Sequence, residues 1–129
     1  MKKVYLAGLS SEYAGDWKER IKKVSGFEFH DWEFDSDQAS PDTFFPDDLK
    51  AITEADILIA NPGTTPCEGT WIEVGYFLAL NTEHPGETCK NLIIIWDKQR
   101  QDWSLDFVQK AGIIVASIKE AIKELERKR

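Results

Sequence analysis

Short apolar runs alternate along the chain with longer segments whose apolar residues recur at helical spacing. The apolar runs predict five strands, at residues 4–7, 27–30, 56–60, 92–96 and 113–116. Helices are predicted from Ser10 or Ser11 to Gly26 and over residues 42–54, 68–80 and 118–129. Their inward faces are predicted to carry Trp17, Ile21 and Val24, then Leu49 and Ile52, then Ile118, Ile122 and Leu125. Segments 33–41, 61–66, 82–90 and 97–105 are polar or rich in turn residues and are predicted as loops.

This alternation of strands and helices predicts the fold class. Strands that are apolar at every position, with helices between them, are typical of a parallel sheet covered on both faces. The chain has 129 residues, no repeat and no internal composition shift. We therefore predict one α/β domain, residues 1–129, around a five-stranded parallel sheet.

Composition limits the kinds of molecule that the protein is expected to bind and where it is expected to be found. A net charge of -7 disfavours binding to a nucleic-acid polymer, although a small nucleotide stays compatible with it. The apolar stretch near Met1 is too short for a signal peptide, and no segment has the length of a membrane span. Two cysteines are too few for a disulfide framework, so a cytoplasmic location is expected. Five Trp and seven Phe suggest that some aromatic rings line a pocket for a flat ligand.

Glu73 is the leading candidate for chemistry. It lies in the segment Gly-Thr-Trp-Ile-Glu-Val-Gly-Tyr, residues 69–76, in the first turns of the helix after the third strand. Open α/β sheets bind ligands at the carboxyl ends of their strands, and Gly69 and Gly75 leave room beside the carboxylate. The alternative is an ordinary solvated glutamate that the helix dipole favours.

Other polar residues are predicted at the same edge of the sheet. Tyr5 lies near the end of the first strand, Asp31 and Trp32 follow the second, and Asn61 follows the third. Asp48, one helix before Glu73, is predicted as its partner. Two carboxyl groups in one pocket can divide the work at a sugar anomeric carbon, one as nucleophile and one as acid. An exposed helix-surface aspartate is the alternative for Asp48.

Other chemistries have weaker support. His30 and His84 lack the spacing of a metal site, so no metal is predicted. Neither a phosphate-binding glycine loop nor a Gly-x-Ser-x-Gly elbow occurs. Cys67 precedes the Glu73 helix, but no histidine is obviously beside it to support a thiolate mechanism.

Three motifs together resemble the nucleoside 2-deoxyribosyltransferases. Val-Tyr-Leu-Ala-Gly at residues 4–8 is similar to that family's opening strand. Asp48, Ile52, Ala55 and Asp56 match its Asp-x-x-x-Ile-x-x-Ala-Asp signature, and residues 69–76 match its Gly-Thr-x-x-Glu-x-Gly-Tyr segment around the nucleophile. Order, spacing and chain length agree, so the likeness covers most of the chain.

The resemblance implies a flavodoxin-like (Rossmann-like) three-layer fold and a retaining double displacement without a cofactor. Glu73 would attack the anomeric carbon, Tyr5 would orient it, and Asp48 would contact the base and assist its protonation. The implied substrate-binding positions include Gly8, Gly69 and Thr70. The family's sites are completed across a subunit interface, which implies a homo-oligomer in which Ser104 loosely matches an Asn from the neighbouring subunit. Cys67 stands where the family usually has Asp.

The leading hypothesis is transfer of 2-deoxyribose between nucleobases, with a nucleoside and a free nucleobase as small-molecule partners. The nearest rival is an N-glycosidase that acts on a nucleoside or a nucleoside 5′-monophosphate with the same glutamate. A third hypothesis is a nucleotide-binding module without turnover.

Overall fold

A computed structural model of the chain describes residues 1–64, 66–97 and 103–129. Five strands form one sheet in the order β2-β1-β3-β4-β5, and every adjacent pair is parallel. The strands are Lys2–Gly8 (β1), Phe27–Asp31 (β2), Ile57–Asn61 (β3), Leu92–Ile95 (β4) and Ile113–Val115 (β5). This confirms the predicted α/β, flavodoxin-like architecture.

Seven helices connect or follow these strands in the described ranges. They are Ser11–Ala14 (α1), Trp17–Lys22 (α2), Trp32–Asp35 (α3), Pro41–Glu54 (α4), Glu68–Asn81 (α5), Trp103–Val108 (α6) and Ile118–Glu126 (α7). None of these helices has the length and apolar character needed to cross a membrane.

The two faces of the sheet carry separate hydrophobic cores because successive strand residues point in opposite directions. Tyr5 and Ala7 of β1 face the layer formed by α4, α5 and α6, where Phe77 is fully buried. Val4 and Leu6 face the opposite layer. That layer contains Trp17 and Ile21 of α2 and Ala121 and Leu125 of α7.

The predicted first helix is wrong in one respect. Instead of one helix up to Gly26, the chain forms α1 and α2, separated at Gly15, whose φ is 71°. That conformation suits glycine and ends α1, while Asp16 precedes the first turn of α2. Trp17 and Ile21 are buried as predicted, and Val24 is only partly buried.

Three further predictions need correction. The predicted loop 33–41 contains most of α3, because the Asp31 carboxylate accepts a hydrogen bond from the Glu33 backbone and caps that helix. The predicted loop 97–105 includes the first turn of α6, and its residues 98–102 lie outside the described part. Ile52 is buried as predicted, whereas Leu49 is half-buried and lines a cavity.

The site is positioned by β1 and β3, where the winding of the sheet changes direction. Their last residues, Gly8 and Asn61, are register partners. A Cβ atom on Gly8 would lie 2.6 Å from the Asn61 carbonyl oxygen and 2.7 Å from the Trp17 ring. Glycine at position 8 therefore lets β1 pass closely between β3 and α2.

We expect Gly8→Ala to lower the free energy of unfolding by roughly 1–3 kcal/mol, because the added methyl overlaps backbone and ring atoms. Gly75→Ala is the matched control: its Cβ meets no atom within 4 Å, and position 75 lies inside α5. It should raise the stability by roughly 0.5–1 kcal/mol. Urea unfolding of both variants measures the difference; equal effects would contradict the packing argument.

Candidate active site

A cavity of about 500 Å³ opens at the carboxyl edge of the sheet. The loop after β1, helices α3 and α4, and the start of α5 form its walls. Six of the predicted site residues line it, namely Gly8, Trp32, Asp48, Gly69, Thr70 and Glu73. The fold thus brings together residues that are far apart in the sequence.

A half-buried Glu73 and a buried Tyr5 form the polar centre of the site. The Tyr5 hydroxyl, on a side chain that is fully buried in β1, donates a hydrogen bond to Glu73 Oε2. Burial raises the pKa of Glu73 to about 7; the bond from Tyr5 opposes this rise and the charge of Asp48 adds to it. Burial and the charge of Glu73 also raise the pKa of Tyr5, which therefore remains a neutral donor.

Asp48 has its own hydrogen-bonding chain. Ser36 Oγ donates to Asp48 Oδ1 at 2.5 Å, and His30 Nε2 lies 2.9 Å from the same Ser36 oxygen. The His30 ring also stacks on Tyr5, with ring centroids 5.4 Å apart and planes 11° from parallel. Burial raises the pKa of Asp48, while the Ser36 hydroxyl and the charge of His30 oppose that rise.

Sequence reasoning missed Ser36 and gave His30 no role. His30 carried a usable signal, because it lies at the carboxyl edge of the sheet beside two predicted site residues. Ser36 carried none, since it lies in a polar segment whose path the sequence does not reveal. Both connect Asp48 to the stacked ring of Tyr5.

Asp31 does not line the cavity. Its side chain is 0% exposed and accepts bonds from Lys18 Nζ at 2.5 Å and Lys22 Nζ at 2.9 Å. Burial alone would raise the pKa of Asp31, but the two ammonium groups outweigh it and hold that pKa below its ordinary value. The structure thus places Asp31 in an ion-pair network, outside the described lining of the cavity.

That network supports one wall of the cavity. Lys18 also binds Glu33 at 2.5 Å, and Glu33 accepts from the Ser11 backbone at 2.7 Å. The Trp32 indole donates to the Gly8 carbonyl at 3.1 Å, and Lys18 Nζ lies 4.8 Å from the Trp32 ring centroid. These contacts fix the loop after β1 against α3.

Asn61 and Ser104 also lie outside the cavity. Asn61 Oδ1 accepts from the Gly63 backbone at 3.2 Å, and Asn61 lines a different cavity of about 360 Å³ together with Arg20. Ser104 belongs to α6 and is half-buried. Its predicted role depended on a neighbouring subunit and stays a prediction.

The cavity walls are aromatic and acidic. Among the described lining residues, the rings are Tyr13, Trp32, Phe44 and Phe45, and the charged side chains are the carboxylates of Asp48, Glu68 and Glu73. No group of three or more potential metal ligands occurs in the described ranges. Cys67 lines the cavity next to Glu68.

Comparisons with known proteins support the same fold. No protein-family profile matches the chain, and no curated protein matches its sequence. The structure is similar to that of the Clostridium botulinum CMP N-glycosidase BcmB, with a TM-score of 0.65 and 25% identity over 99% of this chain and 100% of that chain. It also resembles the solution structure of BlsM, with a TM-score of 0.61 and 19% identity over 95% of this chain and 86% of that chain. Both neighbours have the fold of the nucleoside 2-deoxyribosyltransferase-like family.

Burial of Glu73 predicts a pH-dependent cost to stability. Its pKa rises from an ordinary 4.5 to about 7 on folding, so ionisation of the buried carboxyl destabilises the fold increasingly as pH rises through this window. The cost at pH 8 is about 3 kcal/mol. Glu73→Gln should therefore be more stable than the wild type by roughly 1–3 kcal/mol at pH 8, and by little near pH 4.5.

Urea unfolding at both pH values measures this difference. Glu68→Gln is the control. Glu68 lines the same cavity but is exposed, so its substitution should change the free energy of unfolding little at either pH. A gain for Glu73→Gln that does not depend on pH would contradict the burial argument.

Proposed function

We propose that the protein cleaves the N-glycosidic bond of a nucleoside, with Glu73 as the nucleophile. The observation that carries the proposal is a half-buried glutamate, held by Tyr5, in the same aromatic cavity as a second carboxyl group, Asp48. The full-length similarity to a CMP N-glycosidase supports this chemistry. So does the resemblance of residues 69–76 to the nucleophile segment of the deoxyribosyltransferases.

The geometry suits a covalent first step. Tyr5 holds Glu73 Oε2, and Oε1 has no hydrogen bond to another described residue. In the proposed step, Oε1 of the ionised carboxylate bonds to the anomeric carbon as the bond to the base breaks. The raised pKa of Asp48 suits it to carry the proton that the departing base takes up. Neither event requires a cofactor.

The second step decides between two activities. Water that attacks the glycosyl ester gives a free sugar, which makes the protein an N-glycosidase; the BcmB neighbour favours this outcome. A second nucleobase gives a new nucleoside, which makes it a transferase; the motif at residues 69–76 favours that outcome. Both routes retain the anomeric configuration because each comprises two displacements.

Cavity charge favours a substrate without a phosphate group. The described lining holds three carboxylates, and no Lys, Arg or His appears among those residues. A phosphate dianion near these carboxylates would be repelled in a partly desolvated site. The rings of Trp32, Phe44 and Phe45 suit an uncharged nucleoside with a flat base.

Incubation of the protein with purine and pyrimidine deoxynucleosides tests the proposal directly. Free base and free sugar indicate hydrolysis, while a new nucleoside in the presence of a second base indicates transfer. Each nucleoside is paired with its 5′-monophosphate, and we expect the nucleoside to react faster. Glu73→Gln should lower turnover by about a thousandfold or more, because the covalent route is lost.

Glu68→Gln is the matched control and should keep its activity within a few fold. Mass spectrometry of the wild type after reaction with a 2-fluorinated nucleoside should find the sugar attached to the peptide that contains Glu73. Near-normal turnover by Glu73→Gln would overturn the mechanism.

We also propose that the chain works as a homodimer through the outer face of α5. Ile72 and Leu80 on this face are 61% and 49% exposed, and Phe45 of the adjacent α4 is 53% exposed. An apolar surface of this kind beside a cavity is typical of a protein interface. A partner seated there would cover the cavity and exclude water from the glycosyl ester.

Light scattering should give at least twice the 14.8 kDa chain mass at micromolar concentration. Leu80→Lys should lower that mass to the monomer's, since it places a charge in the apolar interface. Phe107→Lys is the control, because Phe107 is 90% exposed on α6 and should not change the mass. A fully active wild-type monomer would contradict the proposal.

A further inference from the structure

Ser36 and His30 link Asp48 to a second, smaller cavity. Ser36 is buried and lies between Asp48 Oδ1, at 2.5 Å, and His30 Nε2, at 2.9 Å. His30 lines a cavity of about 130 Å³, together with Lys3, Glu28 and Glu54. The chain of hydrogen bonds therefore connects the active-site cavity to another opening in the protein.

The direction of each bond follows from the donors available. The Ser36 hydroxyl has one proton, which it donates to Asp48, so its oxygen accepts from His30 Nε2–H. The second ring nitrogen, Nδ1, has no hydrogen bond to a described residue. The imidazole can therefore give up the Nε2 proton and take another at Nδ1.

We propose that Ser36 and His30 form a proton relay that recharges Asp48 after Asp48 has protonated the leaving base. The inference rests on the proposed function, because it assumes that Asp48 supplies that proton. Ser36 and His30 act through Asp48 and do not touch the substrate.

Protons balance along this path. Asp48 loses its O–H proton to a nitrogen of the departing base, then takes the Ser36 hydroxyl proton. Ser36 takes the Nε2 proton of His30, and His30 takes a proton at Nδ1 from solvent; tautomer exchange of the imidazole through solvent then restores the Nε2–H form for the next cycle. The later attack of water on the glycosyl ester returns one proton to solvent, so hydrolysis consumes none overall.

The need for a relay follows from the position of Asp48. A bound substrate would cover the cavity side of this half-buried carboxyl, which leaves Ser36 as its protein contact on the other side. The raised pKa of Asp48 suits a group that is protonated again in each cycle.

Charged and titratable groups surround His30 on each element packed against it. Tyr5 of β1 stacks on the His30 ring, and the Tyr5 hydroxyl is bonded to Glu73. Asp48 and its neighbour Asp47 lie on α4, and Ser36 separates Asp48 from His30. Around the smaller cavity these groups are Lys3 of β1, Glu28 of β2 and Glu54 of α4.

A purely structural role is the competing explanation, and His30→Gln separates the two. Glutamine keeps an N–H donor for Ser36 but does not exchange protons at neutral pH. With a natural nucleoside, kcat should fall about tenfold while KM stays within twofold. With a nitrophenyl deoxyriboside, whose leaving group needs no proton, kcat should stay within twofold of the wild type.

Asp48→Asn is the reference variant for this comparison. Its kcat should fall more with the natural nucleoside than with the nitrophenyl substrate. His30→Ala should also be slow with the natural nucleoside, and added imidazole should restore part of its rate. Equal losses of His30→Gln on both substrates, or no loss on either, would overturn the relay.

A measurement without substrate checks the coupling itself. The Ser36 hydroxyl and the charge of His30 both lower the pKa of Asp48. Carbon NMR of the Asp48 carboxyl should therefore show its titration at higher pH in Ser36→Ala and His30→Gln than in the wild type. Unchanged titration would overturn the relay.

An inactive wild type would overturn the proposed function, whereas an active wild type with unaffected variants would overturn the relay alone.

Discussion

The hydrogen bond from Tyr5 to Glu73 is the interaction on which the site depends. A carboxyl group buried at the base of a cavity would be protonated near neutral pH unless a donor stabilised its ionised form. Tyr5 supplies that donor from the interior of β1, and strands hold the side chains of a site more precisely than loops do. The pKa of Glu73 is thereby held at about 7 and not higher. A substantial fraction of Glu73 is therefore ionised near neutral pH, as the proposed nucleophilic role requires.

The second carboxyl group is held in a different environment. Asp48 lies on α4 and bonds to a serine hydroxyl, whereas Glu73 lies on α5 and bonds to a phenol. Burial raises the pKa of both, and the negative charge of Asp48 makes ionisation of Glu73 harder. Two acids in one cavity with different partners can divide the roles of nucleophile and proton donor. The fold brings the two carboxyl groups to one cavity, and their different hydrogen-bond donors give them different environments.

One wall of the cavity depends on an ion-pair network that does not include Glu73 or Asp48. Lys18 is almost fully buried between Asp31 and Glu33, and Asp31 is also paired with Lys22, so each buried charge of the network has an oppositely charged partner. Through Ser11 and Trp32 the network fixes the loop after β1, where Gly8 ends the strand.

Much of the fold can be predicted from the local sequence. Apolar runs long enough for a strand, separated by helical segments, predicted the five parallel strands because burial on both faces requires continuous apolar sequence. The edge position of Tyr5 and the segment around Glu73 predicted two residues that the structure joins by a hydrogen bond at the cavity. What the sequence alone did not determine was the partner of each polar side chain. Asp31 looked like a ligand contact, yet Lys18, 13 residues earlier, neutralises it in the interior. The link from His30 through Ser36 to Asp48 exists only because the fold brings α4 within hydrogen-bonding distance of the segment that follows β2. Local pattern determines which residues are buried, whereas the environment of a buried polar group depends on residues that only the tertiary structure brings within hydrogen-bonding distance.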